Sequence, residues 1–136
     1  MLQEQEPSDP RFASAALARL ERAGDGFRVV LASAGHPPAL VVRADGTVDA
    51  CHAPGTLLGI TGAPEFADVE TVLGPGDALV LYTDGLLGEE RVRELLAGEG
   101  GASADRIATK LDELAAAFSR LRRRDDLALL VARVRS

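Results

Sequence analysis

The chain has 136 residues, of which 46% are hydrophobic and 26% charged, a composition that suits one globular domain and excludes a largely disordered chain. Its formal net charge of −6 argues against a nucleic-acid-binding surface, and no apolar run approaches the ~18 residues of a membrane span. A single cysteine excludes an internal disulfide and is typical of a reducing compartment. We therefore expect a cytoplasmic protein that binds neither nucleic acid nor membrane.

The first part of the chain predicts strands. Residues 1–11 are polar, contain prolines and predict a flexible lead. Residues 12–21 fit a strand or a helix by pattern, but the glycine-containing turn and the strand-like residues 27–33 that follow favour a β-hairpin. Residues 39–51 predict a second hairpin around the Asp-Gly dipeptide at 45–46, which suits the positive φ angles of a tight turn.

The middle of the chain predicts a loop and two further strands. Residues 53–66 are rich in Gly and Pro, as expected of a loop. Residues 67–73 alternate between polar and apolar side chains, which is typical of a half-buried strand. Residues 78–82 are continuously apolar, which indicates a strand buried on both faces.

The last third of the chain predicts two helices and a closing strand. The first helix ends at Gly98, and the second begins after Ser103, a good N-cap. The apolar faces of these helices consist of Leu87, Val92, Leu95 and Leu96 in the first, and Ile107, Leu111, Leu114 and Phe118 in the second. Residues 127–134 predict a core strand. Strands first, then two helices and a last strand indicate an α+β domain.

Three aspartates occupy positions that suit metal chemistry. Asp84 follows the predicted strand at 78–82, and Asp125 and Asp126 directly precede the closing strand. If these two strands are neighbours in one sheet, the carboxylates meet at one edge and offer hard oxygen ligands for Mg²⁺ or Mn²⁺. On local pattern alone, turn or N-cap chemistry is the commoner explanation of Asp84, and a simple turn explains Asp125 and Asp126 equally well.

Other residues are weaker candidates. His36 lies in a loop between predicted strands, where a lone histidine is more often structural than catalytic. Cys51 has no His–Asp setting for a nucleophile. The arginines at 122–124 fit the favourable cationic end of a helix better than a phosphate site. The Gly-Asp pairs at 24–26 and 76–77 are interpreted as structural turns.

Four motifs follow one another along the chain: ASAGHPPALVVRADG at 32–46, PGTLLGI at 54–60, LGPGDALVLYTDGLLGEE at 73–90 and RDDLALLVARV at 124–134. Together they resemble the bacterial PPM-type (PP2C-like) serine/threonine phosphatase domain of the sporulation and stress-response regulator class. The resemblance covers residues 12–136 and corresponds to the C-terminal part of that domain. It implies a partial PP2C-like β-sandwich, with mostly antiparallel strands flanked by helices.

The resemblance also implies site residues. Asp84 and Asp125 match metal ligands of a dinuclear Mn²⁺ or Mg²⁺ centre, and Asp126 matches a position that orients water or a ligand. Gly85 allows a tight turn of the backbone after Asp84. His36 belongs to the AGHPP segment, a landmark of the family, to which we assign a structural rather than a catalytic role. The implied reaction is hydrolysis of phosphoserine or phosphothreonine through a metal-bound hydroxide, on a regulatory protein such as a phosphorylated anti-anti-sigma factor.

One family motif has no counterpart here. It is the N-terminal Gly-Asp motif whose aspartate bridges both metals, and residues 1–11 cannot supply it. We therefore expect an incomplete metal site in this chain, and an exposed sheet edge that a partner or a second copy in a dimer covers. The alternative function is a truncated, non-catalytic pseudophosphatase that binds a regulator. A haloacid-dehalogenase-type motif is disfavoured because Tyr82 stands where its first aspartate is required.

Overall fold

The computed structural model describes residues 15–53, 68–83, 88–119 and 128–135. Within these ranges the chain forms seven strands and two helices, in the α+β order that the sequence predicts: β1 (Ala15–Ala23), β2 (Gly26–Ala34), β3 (Ala39–Val42), β4 (Val48–Cys51), β5 (Val69–Leu73), β6 (Ala78–Tyr82), α1 (Glu89–Leu96), α2 (Ala104–Ser119) and β7 (Leu129–Arg133). The predicted lead at 1–11, most of the predicted loop at 53–66, Leu87 and the Phe118 side chain lie outside this description.

The strands form two antiparallel sheets. The first sheet has the strand order β1-β2-β5, and the second has the order β4-β3-β6-β7. Both predicted hairpins are confirmed, because β1 pairs with β2 along its whole length and β3 pairs with β4. β6 lies between β3 and β7, so the prediction of an interior strand at 78–82 is also confirmed.

Branched aliphatic side chains fill the space between the two sheets. Val29 and Leu31 of β2 meet Val41 of β3 and Leu79 of β6 in one buried cluster. Full burial of a side chain of this size contributes about 1.5–3 kcal/mol. Since the chain has no Trp and only 4% aromatic residues, this core depends on Val, Leu and Ala.

The two helices cover the other face of the second sheet. Ser103 caps α2, because its Oγ accepts a hydrogen bond from the Arg106 N–H at 3.1 Å. Gly98, just past α1, has a φ of +84°, which suits a residue that ends a helix. The fully buried helix residues are those of the predicted apolar faces: Val92, Leu96, Ile107 and Leu111.

The turn at Asp45 and Gly46 differs from the tight turn that we predicted. Gly46 has a φ of +92°, whereas no described non-glycine residue has a positive φ. The Gly46 N–H donates to the Arg43 carbonyl at 2.9 Å, and the Arg43 N–H donates to the Thr47 carbonyl at 2.8 Å. These bonds define a three-residue loop that ends in a left-handed glycine. Asp45 therefore needs no positive φ, and its carboxylate accepts the Thr47 N–H at 2.9 Å.

Candidate functional site

The end of β6 and the start of β7 meet at one edge of the second sheet. The antiparallel ladder ends at the pair Tyr82↔Leu129. One residue further, the Thr83 N–H donates to the Ala128 carbonyl at 3.1 Å, and the Ala128 N–H donates to the Thr83 Oγ1 at 3.0 Å. The two strands are therefore neighbours at the end where the predicted acidic residues follow and precede them in sequence.

An open cavity of about 300 Å³ lies at this edge. Its described lining is mainly apolar and includes Ala16 of β1, His36 from the loop after β2, Thr83 after β6 and Leu130 of β7. Both sheets therefore contribute to one depression, although the residues that form it are far apart in sequence.

A serine and a glycine shape the loop that carries His36. The Ser33 Oγ accepts a hydrogen bond from the His36 N–H and donates one to the His36 carbonyl, both at 3.3 Å. Gly35 has a φ of +63°, a conformation that costs glycine little. This closed turn holds His36 at the cavity, and its role as a structural landmark stays a prediction.

Tyr82 adds a buried hydroxyl that the sequence analysis did not assign to the site. The residue lines the cavity and is 2% exposed, and its hydroxyl has no hydrogen-bond partner among the described residues. Burial, assisted by the negative charge of Glu89, raises the pKa of Tyr82 to about 12. Tyr82 is therefore neutral near pH 7. A lone tyrosine at the end of an apolar strand is the sequence signal that could have indicated this buried hydroxyl.

The predicted site residues Asp84, Gly85, Asp125 and Asp126 lie outside the described part of the chain. Among the residues that are described, no group of three His, Cys, Asp or Glu side chains could hold a metal ion. The described cavity lining offers an imidazole and two hydroxyl groups but no carboxylate, so it does not by itself fit a hard divalent cation. What the structure confirms is the condition for the prediction, namely that β6 and β7 are neighbours.

The Gly-Asp pair at 76–77 is structural, as the sequence analysis predicts. Asp77 lies at the opposite end of β6 from the cavity and is 8% exposed. Its carboxylate accepts hydrogen bonds from the Ala44 N–H at 2.8 Å, the Gly74 N–H at 2.9 Å and the Arg43 guanidinium at 3.1 Å. Burial acts to raise the pKa of Asp77, but these donors together lower it. Asp77 thus joins two loops.

Two other features do not form a catalytic site. Burial raises the pKa of the Cys51 thiol, so little thiolate is present near pH 7. A larger depression, of about 580 Å³, is lined by helix residues that include Glu90, Glu94 and Leu114. Its described lining does not include the strand ends, and we therefore base the site on the smaller cavity.

Comparison with known proteins decides the family. The model of the SpoIIE family, Stage II sporulation protein E, matches residues 1–135. The chain belongs to the SpoIIE family. The resemblance inferred from the four motifs is thereby confirmed, and the fold matches that of PP2C-like phosphatase domains. A search of curated proteins finds no significant match. No described helix of this SpoIIE-family chain is long and apolar enough to cross a bilayer.

Solved structures confirm the fold. The phosphatase domain of the cell fate determinant SpoIIE from Bacillus subtilis, in an Mn-presoaked form, matches with a TM-score of 0.64 and 20% identity over 90% of this chain. The RsbU and RsbW domains of a Mycobacterium tuberculosis protein match with a TM-score of 0.55 and 24% identity over 82% of this chain. PppA, a regulatory component of T6SS in Pseudomonas aeruginosa, matches with a TM-score of 0.52 and 19% identity over 85% of this chain. The chain spans only 57%, 37% and 56% of these three structures, respectively.

Proposed function

We propose that this chain contributes to a divalent-metal-dependent site that hydrolyses phosphoserine or phosphothreonine on a cytoplasmic regulatory protein. The observation that carries the proposal is the pairing of β6 with β7 up to Thr83 and Ala128. Asp84 is the residue after Thr83, and Asp125 and Asp126 come three and two residues before Ala128. Because successive Cα atoms are ~3.8 Å apart, the short sequence distance to Thr83 and Ala128 supports the proposal that all three carboxylates reach this edge.

In this proposal Asp84 and Asp125 are ligands of Mn²⁺ or Mg²⁺, and Asp126 orients water or a ligand beside them. A divalent cation offsets the negative charge of a phosphoryl group, which the apolar cavity lining cannot do. Gly85 gives the backbone the freedom to turn after Asp84. The cavity of about 300 Å³, with His36 on its wall, offers room for the phosphorylated side chain.

Metal binding tests the ligand assignment directly. Titration of the chain with Mn²⁺ in a calorimeter should show binding that Asp84→Asn and Asp125→Asn each weaken about tenfold or more, since each removes a charged ligand. Asp112→Asn is the matched control, because Asp112 is an exposed residue of α2. Equal affinity in all variants would refute the assignment.

Hydrolysis of a phosphoserine peptide and of an aryl phosphate in the presence of Mn²⁺ tests the activity. Activity that disappears in Asp84→Asn with the fold intact supports the proposal. If the wild-type chain binds Mn²⁺ but hydrolyses neither compound, the phosphatase proposal fails for this chain.

The second candidate function is a non-catalytic module that binds a regulator. It is favoured by the mainly apolar described lining of the cavity, which includes no carboxylate. We propose a phosphorylated regulatory protein, such as an anti-anti-sigma factor, as the partner in both cases. Calorimetry with the phosphorylated and the unphosphorylated regulator measures binding, and an assay of released phosphate on the same mixtures measures hydrolysis. Together they separate the two functions, because the module binds the regulator without releasing phosphate.

A further inference from the structure

The last pair of residues between β6 and β7 uses a side chain where an antiparallel ladder uses the backbone. In such a ladder a hydrogen-bonded pair exchanges two bonds, each from an N–H to the carbonyl of the facing residue. One step beyond Tyr82↔Leu129, the register places Thr83 opposite Ala128. The Thr83 N–H donates to the Ala128 carbonyl at 3.1 Å, but the Ala128 N–H donates to the Thr83 Oγ1 at 3.0 Å. The hydroxyl of Thr83 thus takes the place of its own carbonyl.

This exchange of hydroxyl for carbonyl coincides with the end of both strands. β6 ends at Tyr82 and β7 begins at Leu129, one residue inside the pair of Thr83 and Ala128. A side-chain oxygen that accepts a backbone N–H competes with the regular ladder, so the two strands can diverge directly beyond this pair. Two directional hydrogen bonds between the same two residues define both the distance between the strand ends and their relative orientation.

The same pair adjoins the acidic residues of the proposed site in sequence. Thr83 and Ala128 both line the cavity of about 300 Å³. Asp84 directly follows Thr83, whereas Asp125 and Asp126 come three and two residues before Ala128. A shift of one strand end against the other is therefore passed to these carboxylates through a few residues of chain.

We propose that Thr83 is a positioning residue of the phosphatase site, an inference that rests on the function proposed above. Its hydroxyl holds the start of β7 against the end of β6, and so sets the separation between Asp84 on one segment and Asp125 and Asp126 on the other. Functional groups must be held within about 0.5 Å of their working geometry, and supporting hydrogen bonds supply this precision. The role does not require Thr83 to touch the phosphorylated substrate.

The chemistry of threonine suits this role. Its hydroxyl oxygen accepts hydrogen bonds without adding a charge beside the carboxylates. Its β-branched side chain favours extended backbone and has few χ1 rotamers, which keeps the hydroxyl in one place. Serine has the same hydroxyl without the methyl group, and valine has the same shape without the oxygen. These two residues therefore give a matched pair of substitutions.

Amide hydrogen exchange at Ala128 tests the hydrogen bond. Thr83→Val removes the acceptor and keeps the branched shape, so the Ala128 N–H should exchange about fivefold faster or more. Thr83→Ser keeps the acceptor and should leave this rate at the wild-type value. Equal rates in the wild type and Thr83→Val would overturn the proposal, because the hydroxyl would then hold nothing in solution.

The affinity for Mn²⁺, measured by calorimetry, tests the positioning role. We expect Thr83→Val to weaken binding about tenfold, and Thr83→Ser to bind like the wild type. Thr71→Val is the matched control. The Thr71 Oγ1 accepts a hydrogen bond at 3.3 Å from Arg43, which also binds Asp77 at the far end of β6. Both valine variants lose a hydrogen bond to a hydroxyl, so a purely structural role of Thr83 predicts unchanged Mn²⁺ affinity in both.

The outcomes separate this inference from the function on which it rests. If Asp84→Asn weakens Mn²⁺ binding and Thr83→Val does not, the positioning role is refuted and the ligand assignment stands. If Thr83→Ser binds as weakly as Thr83→Val, the hydroxyl is not the determinant and the proposal is likewise overturned. If the wild-type chain binds no Mn²⁺, both proposals fall.

Discussion

Removal of the Asp77 carboxylate should cost more stability than removal of either of the other described turn carboxylates, those of Asp25 and Asp45. Asp77→Ala deprives two backbone N–H groups and Arg43 of a nearly buried acceptor. Hydrogen bonds to a charged group contribute about 1.5–3 kcal/mol each, but such terms are not additive, so we expect a loss of about 3 kcal/mol. For 136 residues the unfolding entropy is ~0.29 kcal/mol/K, which converts this loss to a fall in Tm of ~10 °C.

Urea denaturation of the purified chain at neutral pH measures this loss. The matched control is Asp25→Ala, in the other Gly-Asp turn, where the aspartate is exposed. We expect the control to change the free energy of unfolding by less than about 0.5 kcal/mol. A loss below about 1 kcal/mol for Asp77→Ala would refute the reasoning that its three hydrogen bonds hold the loops together.

The pH dependence gives an independent check of the same residue. The folded chain lowers the pKa of Asp77 below its unfolded value of about 3.9. The unfolded state therefore binds the proton more readily, and the contribution of the charge is fully present above about pH 4 and decreases as the pH falls through the folded pKa. The difference between wild type and Asp77→Ala should shrink on acidification, and a constant difference would contradict the electrostatic explanation.

Three further perturbations have defined outcomes. Gly100→Ala should destabilise the chain strongly, because a Cβ there lies 2.4 Å from the Ala44 carbonyl oxygen. A Cβ at Gly88 meets no described atom within 4 Å, so Gly88→Ala should change little, and thermal unfolding compares the two variants. Tyr82→Phe should keep or raise stability by up to ~1 kcal/mol, since it removes a buried hydroxyl that has no partner among the described residues. The ultraviolet titration of this single tyrosine should have its midpoint near 12, and a midpoint near 10 would refute its burial. Ser103→Ala should cost ~1 kcal/mol in urea through loss of the cap on α2, and no loss would refute the cap.

The order of elements was predictable because each segment has a clear local signal. The alternation in β5, the continuous apolar run of β6 and the helical spacing that includes Val92 and Ile107 all follow directly from the requirement to bury one or two faces. The loop at Asp45 was harder, because an Asp-Gly pair fits both a two-residue turn and the three-residue loop observed. Backbone hydrogen bonds of the flanking residues decide between them, and these are not visible in a sequence.

The candidate site was predictable only in part, because it combines distant segments. The sequence indicated that Asp84 and Asp125 would meet if two strands were neighbours, and the pairing of β6 with β7 confirms that condition. Their role as ligands stays a prediction. The position of Ala16 and His36 beside the strand ends depends on how the two sheets stack, which no local pattern determines. The burial of the Tyr82 hydroxyl, without a partner among the described residues, is likewise a property of packing.

The hydrogen bonds between Thr83 and Ala128 have a consequence for folding. They join positions 45 residues apart, with both helices between them, whereas the β1–β2 and β3–β4 hairpins form from adjacent segments. Closing a long loop costs chain entropy before the new contacts stabilise the structure. We therefore expect the paired ends of β6 and β7 to form after the hairpins. A ligand that needs both strand ends would then bind the fully folded chain in preference to any intermediate, and its concentration would shift the unfolding midpoint.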